Sequence, residues 1–377
     1  MQAWRAVGTP TRVAAYYPAL AVHPAGTVGT PMLAFAVGQC SRCLISYAGL
    51  AQIFTPVGWL PLGLGFGDGP VPGQEFRLAL HPNSRLPYVA YRDEENGGVL
   101  NMWKWNTTTW LELGLTGQPN STAPLGLTNS TVTAVNLDYS SLSWGPISCF
   151  ADSDHNGRAS CLRGVGPQAS SFTYVGTPGF SPSAAAWVSM AVHGSAIFVA
   201  FQDFASTKGR VMRFQSGGSW QLLGAAFSSG AASYLSLALH PGTGLPWVAF
   251  LGAAPGSPTP PSPKLTVVAL TALAGGQWKA VGASGFAGQG SVYNALAFEP
   301  GTQLKAPWLA FQCDSVARRL CVRSWVNNAW QPMGAQPVSV GEARFINLQF
   351  HAPSSTPYLA YSNQGVNGGA AVVRRWG

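Results

Sequence analysis

Apolar and polar residues alternate with a period of two over short runs, and clusters of Gly, Pro, Ser and Asn interrupt these runs about every ten positions. The runs recur in a fixed order. One that alternates up to a turn reads ALAVHP at 19–24, LALHP at 78–82, VNLDYS at 135–140, SMAVHG at 189–194, LALHP at 237–241, LAFEP at 296–300 and NLQFHA at 347–352. A more continuously apolar run follows after a Gly/Pro turn: PMLAFA at 31–36, PYVAYRD at 87–93, PISCFAD at 146–152, IFVAFQD at 197–203, PWVAFLG at 246–252, PWLAFQC at 307–313 and PYLAYSN at 357–363. A third run, such as VLNMWKW at 99–105, LTVVAL at 265–270 or AVVRRW at 371–376, precedes a short segment of fixed form. That segment has a bulky aromatic, two free positions, an apolar residue and Gly: Trp4 to Gly8, Trp59 to Gly63, Trp110 to Gly114, Phe172 to Gly176, Trp220 to Gly224, Trp278 to Gly282 and Trp330 to Gly334.

Seven copies of a four-strand unit, beginning near residues 4, 59, 110, 172, 220, 278 and 330, predict an all-β chain folded as a seven-bladed β-propeller over 1–377. Each blade is read as a four-stranded antiparallel sheet. One such sheet cannot bury both faces, so its neighbours must stack on it, and closing the ring removes unpaired edges. The chain opens on an aromatic-to-Gly segment and ends after three strands of its last unit. The N-terminal strand is therefore expected to complete the last blade. The aromatics are expected to fill the gaps between blades, and the glycines to allow a bend or a close backbone approach. The third unit is degenerate and carries a long insertion.

Composition narrows the class. Hydrophobic residues make up 47% of the 377-residue chain, enough for a real core, which excludes intrinsic disorder. Charged residues are only 9%, with 45 Gly and 29 Pro, which excludes coiled coils and long surface helices. The net charge of +8 comes from 21 Lys plus Arg against 13 Asp plus Glu, but no Lys/Arg-rich run is present, so no nucleic-acid partner is expected. No stretch of eighteen apolar residues occurs, and no membrane insertion is expected. Met1-Gln2-Ala3-Trp4 has neither a basic nor an apolar leader region, so a secreted protein would here be a processed or excised piece.

The pattern W-x-x-V-G followed by S-L-A-L-H-P-G-T-G-L-P-W-V-A-F resembles propeller repeats of large secreted proteins of bacteria and green algae, in which the turn more often reads Asp-Pro-x-Gly-x-Pro. The resemblance covers all seven units. It implies an extracellular display or interaction module and brings no catalytic motif. The WD dipeptide and the Asp-box of sialidases are missing. Locally, Ser257-Pro258-Thr259-Pro260-Pro261-Ser262-Pro263 resembles the hydroxyproline-rich stretches of algal surface glycoproteins, and as a polyproline II excursion it would be solvated.

The six cysteines fall as local pairs, Cys40 with Cys43, Cys149 with Cys161 and Cys313 with Cys321, each bracketing the turn between the second and third strands of its blade. Antiparallel strands leaving a hairpin bring such positions within about 5.5 Å, so three disulfides and an oxidising compartment are expected. Asn106, Asn120 and Asn129 each open an N-glycosylation sequon, again pointing to secretion.

Five of the six histidines, His23, His81, His193, His240 and His351, end the first strand of their units, and the other two units are aligned to place Asp138 and Glu299 there. If the first strand is nearest the axis, these seven side chains converge at one channel mouth as a candidate ligand site, gaining charge below about pH 6.5. The alternative is that each accepts backbone hydrogen bonds in its own turn. Asp152, Asp154 and Asn156 match the opening of a calcium loop, but Arg163 stands where the bidentate Glu belongs, so a polar turn is the preferred reading and no metal is expected. No nucleophile elbow, zincin, Walker or dinucleotide motif occurs, and no cofactor is expected. Of the carboxylates, only Asp138 and Glu299 are placed to face each other across the axis as a glycosidase pair.

The function these features support is a non-catalytic, extracellular structural or interaction module of a cell-wall, matrix or surface-appendage assembly. Its partners would be proteins or glycans of that assembly. The alternative is a carbohydrate-active protein, lectin or hydrolase, using the mouth of the central channel.

Overall fold

The computed structural model describes residues 2–37, 47–68, 73–114, 126–139, 145–166, 169–257, 264–283, 285–286, 292–301 and 305–377. Within them the chain forms seven antiparallel sheets in a ring, a seven-bladed β-propeller without α-helices. Blade 5 shows the plan: an inner strand Ser233–Leu239, a second strand Pro246–Leu251, a third Leu265–Leu270 and a short outer strand Trp278–Ala280. Blade 7 uses Ala343–His351, Thr356–Asn363 and Ala370–Trp376, and its outer strand is Trp4–Ala6, with Trp4 opposite Trp376. The expected closure by the chain's first residues is what the sheet contains.

The second strands are buried along nearly their whole length because neighbouring blades cover both of their faces. Along them a bulky residue alternates with alanine, and the alternation has a direction. Val248 and Phe250 face blade 4, whereas Ala249 faces blade 6. Leu309 and Phe311 face blade 5, and Ala310 faces blade 7. Leu359 and Tyr361 face blade 6, and Ala360 faces blade 1. In these three blades large side chains press onto the alanine-bearing face of the preceding blade, and the hydrophobic core is a set of seven clusters lying between blades.

The aromatic-to-Gly segment is the outer strand and the seam of the ring. The indole N–H of each Trp donates to the carbonyl just before the repeat Gly of the preceding segment: Trp59 to Val7 at 3.0 Å, Trp110 to Leu62 at 2.8 Å, Trp220 to Val175 at 2.8 Å, Trp278 to Leu223 at 3.0 Å and Trp330 to Val281 at 2.9 Å. The glycines that follow those carbonyls have positive φ, and at Gly8, Gly63 and Gly282 an added Cβ would lie within 3 Å of an indole ring.

Among the described residues two disulfides are formed, Cys149–Cys161 and Cys313–Cys321. Cys149 lies directly opposite Cys161 across the second and third strands, and Cys313 reaches Cys321 diagonally, since Cys321 pairs in register with Phe311. Cys40, Cys43, Asn120 and most of the Pro-rich segment lie outside the described residues. Blade 3 departs from the expected plan: its inner strand is two pieces, Val132–Thr133 and Asp138–Tyr139, both paired with Pro146–Asp152. Between them Asn136 turns its side chain to blade 4, donating to the Val188 carbonyl at 3.0 Å and accepting from the Met190 N–H at 3.3 Å. No helix among the described residues is long and apolar enough to cross a membrane.

Candidate functional site

The inner strands of all seven blades run the same way along the axis and enclose a channel of about 800 Å³. They begin at one mouth and end at the other, so the residues that end the strands and those that start them sit at opposite faces.

At the strand ends, four of the five histidines bond within their own turns. The Nδ1 of His81 accepts from the N–H groups of Asn83 at 3.2 Å and Ser84 at 3.1 Å. His240 does the same with Gly242 at 3.1 Å and Thr243 at 3.2 Å, and His23 accepts from Ala25 at 3.1 Å. His351 is fully buried, its Nδ1 bonded to Ser354 Oγ and its Nε2 to the Pro24 carbonyl; because a carbonyl only accepts, Nε2 carries the proton. His193 is exposed over the first turn of blade 5, beside Gly244. Burial, reinforced by Arg85 near His23 and His81 and by Lys305 near His240, holds these three imidazoles below their ordinary pKa. None of the five histidines, nor Glu299, lines the channel.

Asp138 does line it, at a different repeat position from the one the sequence alignment assigned. Asp138 pairs with Ile147 and Tyr139 with Pro146, as Ala79 pairs with Tyr88 and Leu80 with Pro87. Asp138 is therefore the counterpart of Ala79, two residues short of His81. The interrupted strand of blade 3 hides this offset in the sequence. Burial pushes the Asp138 carboxyl up to about 6, against the opposing pull of the Tyr139 and Val192 backbone N–H groups. With Glu299 outside the channel, the pair proposed across the axis is not assembled.

The calcium-loop residues form a polar turn. Asp152 is fully buried; its Oδ1 accepts from the Asp154 N–H at 3.1 Å and its Oδ2 meets His155 Nδ1 at 2.7 Å and the Tyr174 hydroxyl at 3.4 Å. Asn156 closes the turn in the left-handed region with φ 58°. Among the described residues no cluster of three or more His, Cys, Asp or Glu suited to a metal ion occurs. Asn129 is exposed, and the Asn106 Oδ1 accepts from Thr108 and Thr109 in the tip of an exposed hairpin.

The opposite mouth holds the residues that the sequence pattern did not reveal. There each regular inner strand except that of blade 6 carries a β-bulge, with register shifts at Tyr16/Ala19, Gln74/Arg77, Ala186/Ser189, Ser233/Ser236 and Arg344/Asn347. Inside each bulge one residue takes a left-handed conformation: Tyr17 at φ 50°, Glu75 at 56°, Trp187 at 55°, Tyr234 at 52° and Phe345 at 52°, with Ala134 at 56° in blade 3. Bulky side chains in this region cost roughly 1–2 kcal/mol each. The bulges aim these side chains at the channel mouth, where Tyr293 of blade 6 joins them.

The aromatic rings touch in sequence around the mouth. Ring centroids lie 4.0 Å apart for Trp187 and Tyr234, 6.1 Å for Tyr234 and Tyr293, 5.1 Å for Tyr293 and Phe345, and 4.4 Å for Phe345 and Tyr17. Five blades thus contribute one continuous arc, and Trp187 is still 39% exposed. The position is legible in hindsight, since each of these residues stands six places before the His or Glu that ends its strand. Just below the arc, the Ser189 hydroxyl accepts from the Leu237 N–H at 3.0 Å, Ser236 from Leu296 at 2.9 Å, and the Asn347 amide donates to Pro18 O at 2.6 Å, so neighbouring blades hold one another's inner edges. Polar groups flank the open side of the arc: Gln74 accepts from Tyr17 at 3.3 Å and Arg92 at 2.9 Å, and Glu75 accepts from the Val135 N–H at 2.8 Å.

No protein-family model matches the chain, and neither does any curated protein sequence. Solved structures resemble it. The polysaccharide lyase Uly1 is 10% identical with a TM-score of 0.60, over 95% of this chain and 89% of that one. The SapL1 lectin, in complex with alpha methyl fucoside, is 13% identical with a TM-score of 0.49, over 88% of this chain and 100% of that one. A fucose-specific lectin from Aleuria aurantia is 14% identical with a TM-score of 0.47, over 85% and 95%. At such identities the likeness is one of fold.

Proposed function

We propose that the protein binds carbohydrate at the aromatic collar formed by Trp187, Tyr234, Tyr293, Phe345 and Tyr17. The observation that carries this reading is the collar itself: contacting aromatic rings, all but Tyr293 held in left-handed backbone, line a concave mouth with polar groups at one side. Aromatic faces match the C–H faces of a pyranose, and convergent hydroxyl, amide and charged groups match its rim. Of the two readings drawn from the sequence, the site favours the alternative, a saccharide ligand at a channel mouth, although at the mouth opposite the histidines. That Uly1, a protein of the same fold, is a polysaccharide lyase agrees with a saccharide ligand. Binding without catalysis is the simpler account of a channel in which Asp138 lacks the Glu299 partner.

The disulfides Cys149–Cys161 and Cys313–Cys321, with the exposed sequon residue Asn129 and the half-buried Asn106, support an extracellular setting, in which the ligand would be a glycan of a wall or matrix assembly. A glycan array probed with the protein, with Trp187→Ala and with His81→Ala tests the assignment. Signal that falls at least about tenfold in Trp187→Ala and persists in His81→Ala is the expected result. An array silent for the unaltered protein, or a signal indifferent to Trp187→Ala, overturns it.

A further inference from the structure

The aromatic arc is open on one side, and a carboxylate stands in the opening. At the repeat position filled by Trp187, Tyr234 and Phe345, blade 2 carries Glu75 and blade 3 carries Ala134, all with the same left-handed backbone. Glu75 is half-buried and lines the channel mouth, and the bond to the Val135 N–H engages only its Oε2. It lies close enough to Tyr17 for its charge, second to burial, to raise the phenol's pKa. Ala134, with a side chain of one carbon, leaves a notch between Glu75 and Trp187.

The charges around this notch decide what fits it. Aromatic faces present negative potential, and Glu75 adds a full negative charge beside them, so the combination attracts a cation and repels a carboxylate or sulfate. The nearby cations are already engaged. Arg92 pairs with Glu94 and donates to Gln74 at 2.9 Å, and Arg344 donates to Glu342 at 3.0 Å. Arg77, two residues further into the channel on the same strand, donates to the Phe76 carbonyl at 2.9 Å and lies near enough to Glu75 for the carboxylate to favour its charged form.

We infer that the ligand of the collar is an amino sugar bearing a free ammonium group, with the ammonium set against Glu75 in the Ala134 notch and sugar rings laid along the arc from Trp187 to Tyr17. The inference rests on the carbohydrate reading above and narrows it to a charge class. Calorimetric titration at low salt, at a pH where the amine is protonated, with β-1,4-linked hexamers of glucosamine, N-acetylglucosamine and glucose, tests both levels. The glucosamine hexamer should bind at least about tenfold more tightly than the N-acetylated one. Glu75→Gln should erase that margin by weakening the glucosamine hexamer alone. The melting temperature should hold, because a Gln Oε1 accepts the Val135 N–H as the carboxylate did. Equal affinity for the charged and N-acetylated hexamers, or a margin untouched by Glu75→Gln, overturns the ammonium assignment while leaving the carbohydrate site standing. If none of the hexamers binds and the glycan array is also silent, both fall.

Discussion

The indole Nε1 of Trp4 donates to the backbone carbonyl of Met333 at 3.0 Å, joining residues from opposite ends of the chain. The same bond recurs at five internal seams, so the ring closes with the device that holds its blades together elsewhere. At the remaining seam Phe172 replaces Trp, and a phenyl ring has no N–H to offer. Trp4→Phe should lower stability by about 1 kcal/mol, since the ring packing against Trp308 and Trp376 is largely kept and Gln336 Nε2 still donates to the Met333 carbonyl. Trp220→Phe, at an internal seam where no second side chain among the described residues donates to the Val175 carbonyl, should cost about 1–2 kcal/mol. Urea midpoints at unchanged slope measure both. A cost at Trp220 with none at Trp4 would mean that the terminal seam is open in solution.

Gly282 and Gly217 separate two demands that the repeat glycines meet together. Both have φ 79°, but a Cβ on Gly282 would lie 2.7 Å from the Trp325 ring, whereas one on Gly217 would meet nothing within 4 Å. Gly217→Ala should therefore cost only the backbone preference, about 1 kcal/mol. Gly282→Ala should add the clash, for a total of about 2–4 kcal/mol. Equal losses in denaturant melts would show that seam packing yields freely and that the conformation alone selects glycine.

The repeats made the architecture readable because every blade solves the same burial problem with the same residue types: turn, apolar second strand, outer Trp and Gly. The disulfides Cys149–Cys161 and Cys313–Cys321 were readable for the same reason, since hairpin register fixes the distance between their partners. The site was not. Its side chains leave the sheet through bulges, and a bulge shifts the period-two pattern by one residue, so Tyr17, Trp187, Tyr234 and Phe345 fall out of the alternation that marks strands. The histidines recur because the turn that follows the inner strand recurs. Asp138 stands two residues short of the histidine position, an offset the sequence hides because the broken strand of blade 3 carries no landmark for alignment.

The turn role of the histidines has a measurable consequence. His240→Ala leaves the Gly242 N–H without its acceptor and the Thr243 N–H with only its 3.2 Å bond to the His240 carbonyl, in a turn that also holds the Gly244 N–H on that carbonyl at 2.8 Å. A loss of about 1 kcal/mol is expected from the exposed turn, with saccharide binding unchanged. Binding that collapses in His240→Ala while stability holds would return the site to the opposite mouth.

Asp138 gives the fold a pH dependence of unusual sign. Its carboxyl titrates near 6 in the folded chain, against 3.8 as the ordinary value, so the folded state holds a proton that the unfolded chain has released. Below about pH 4 both states are protonated and the residue is neutral in its effect. As pH rises toward about 6 the unfolded chain alone gains by ionising, and stability falls; above that the full penalty stands. With solvent in the channel moderating it, the penalty is on the order of 2 kcal/mol. Asp138→Asn keeps an oxygen for the Tyr139 N–H, now 2.7 Å from Oδ1, and removes the charge. The variant should match the parent protein at about pH 4 and exceed it in urea midpoint from about pH 6 upward, all other titrating groups cancelling in the comparison. Parallel curves for the two proteins across that range would mean that channel water solvates the Asp138 carboxylate as well as bulk water does.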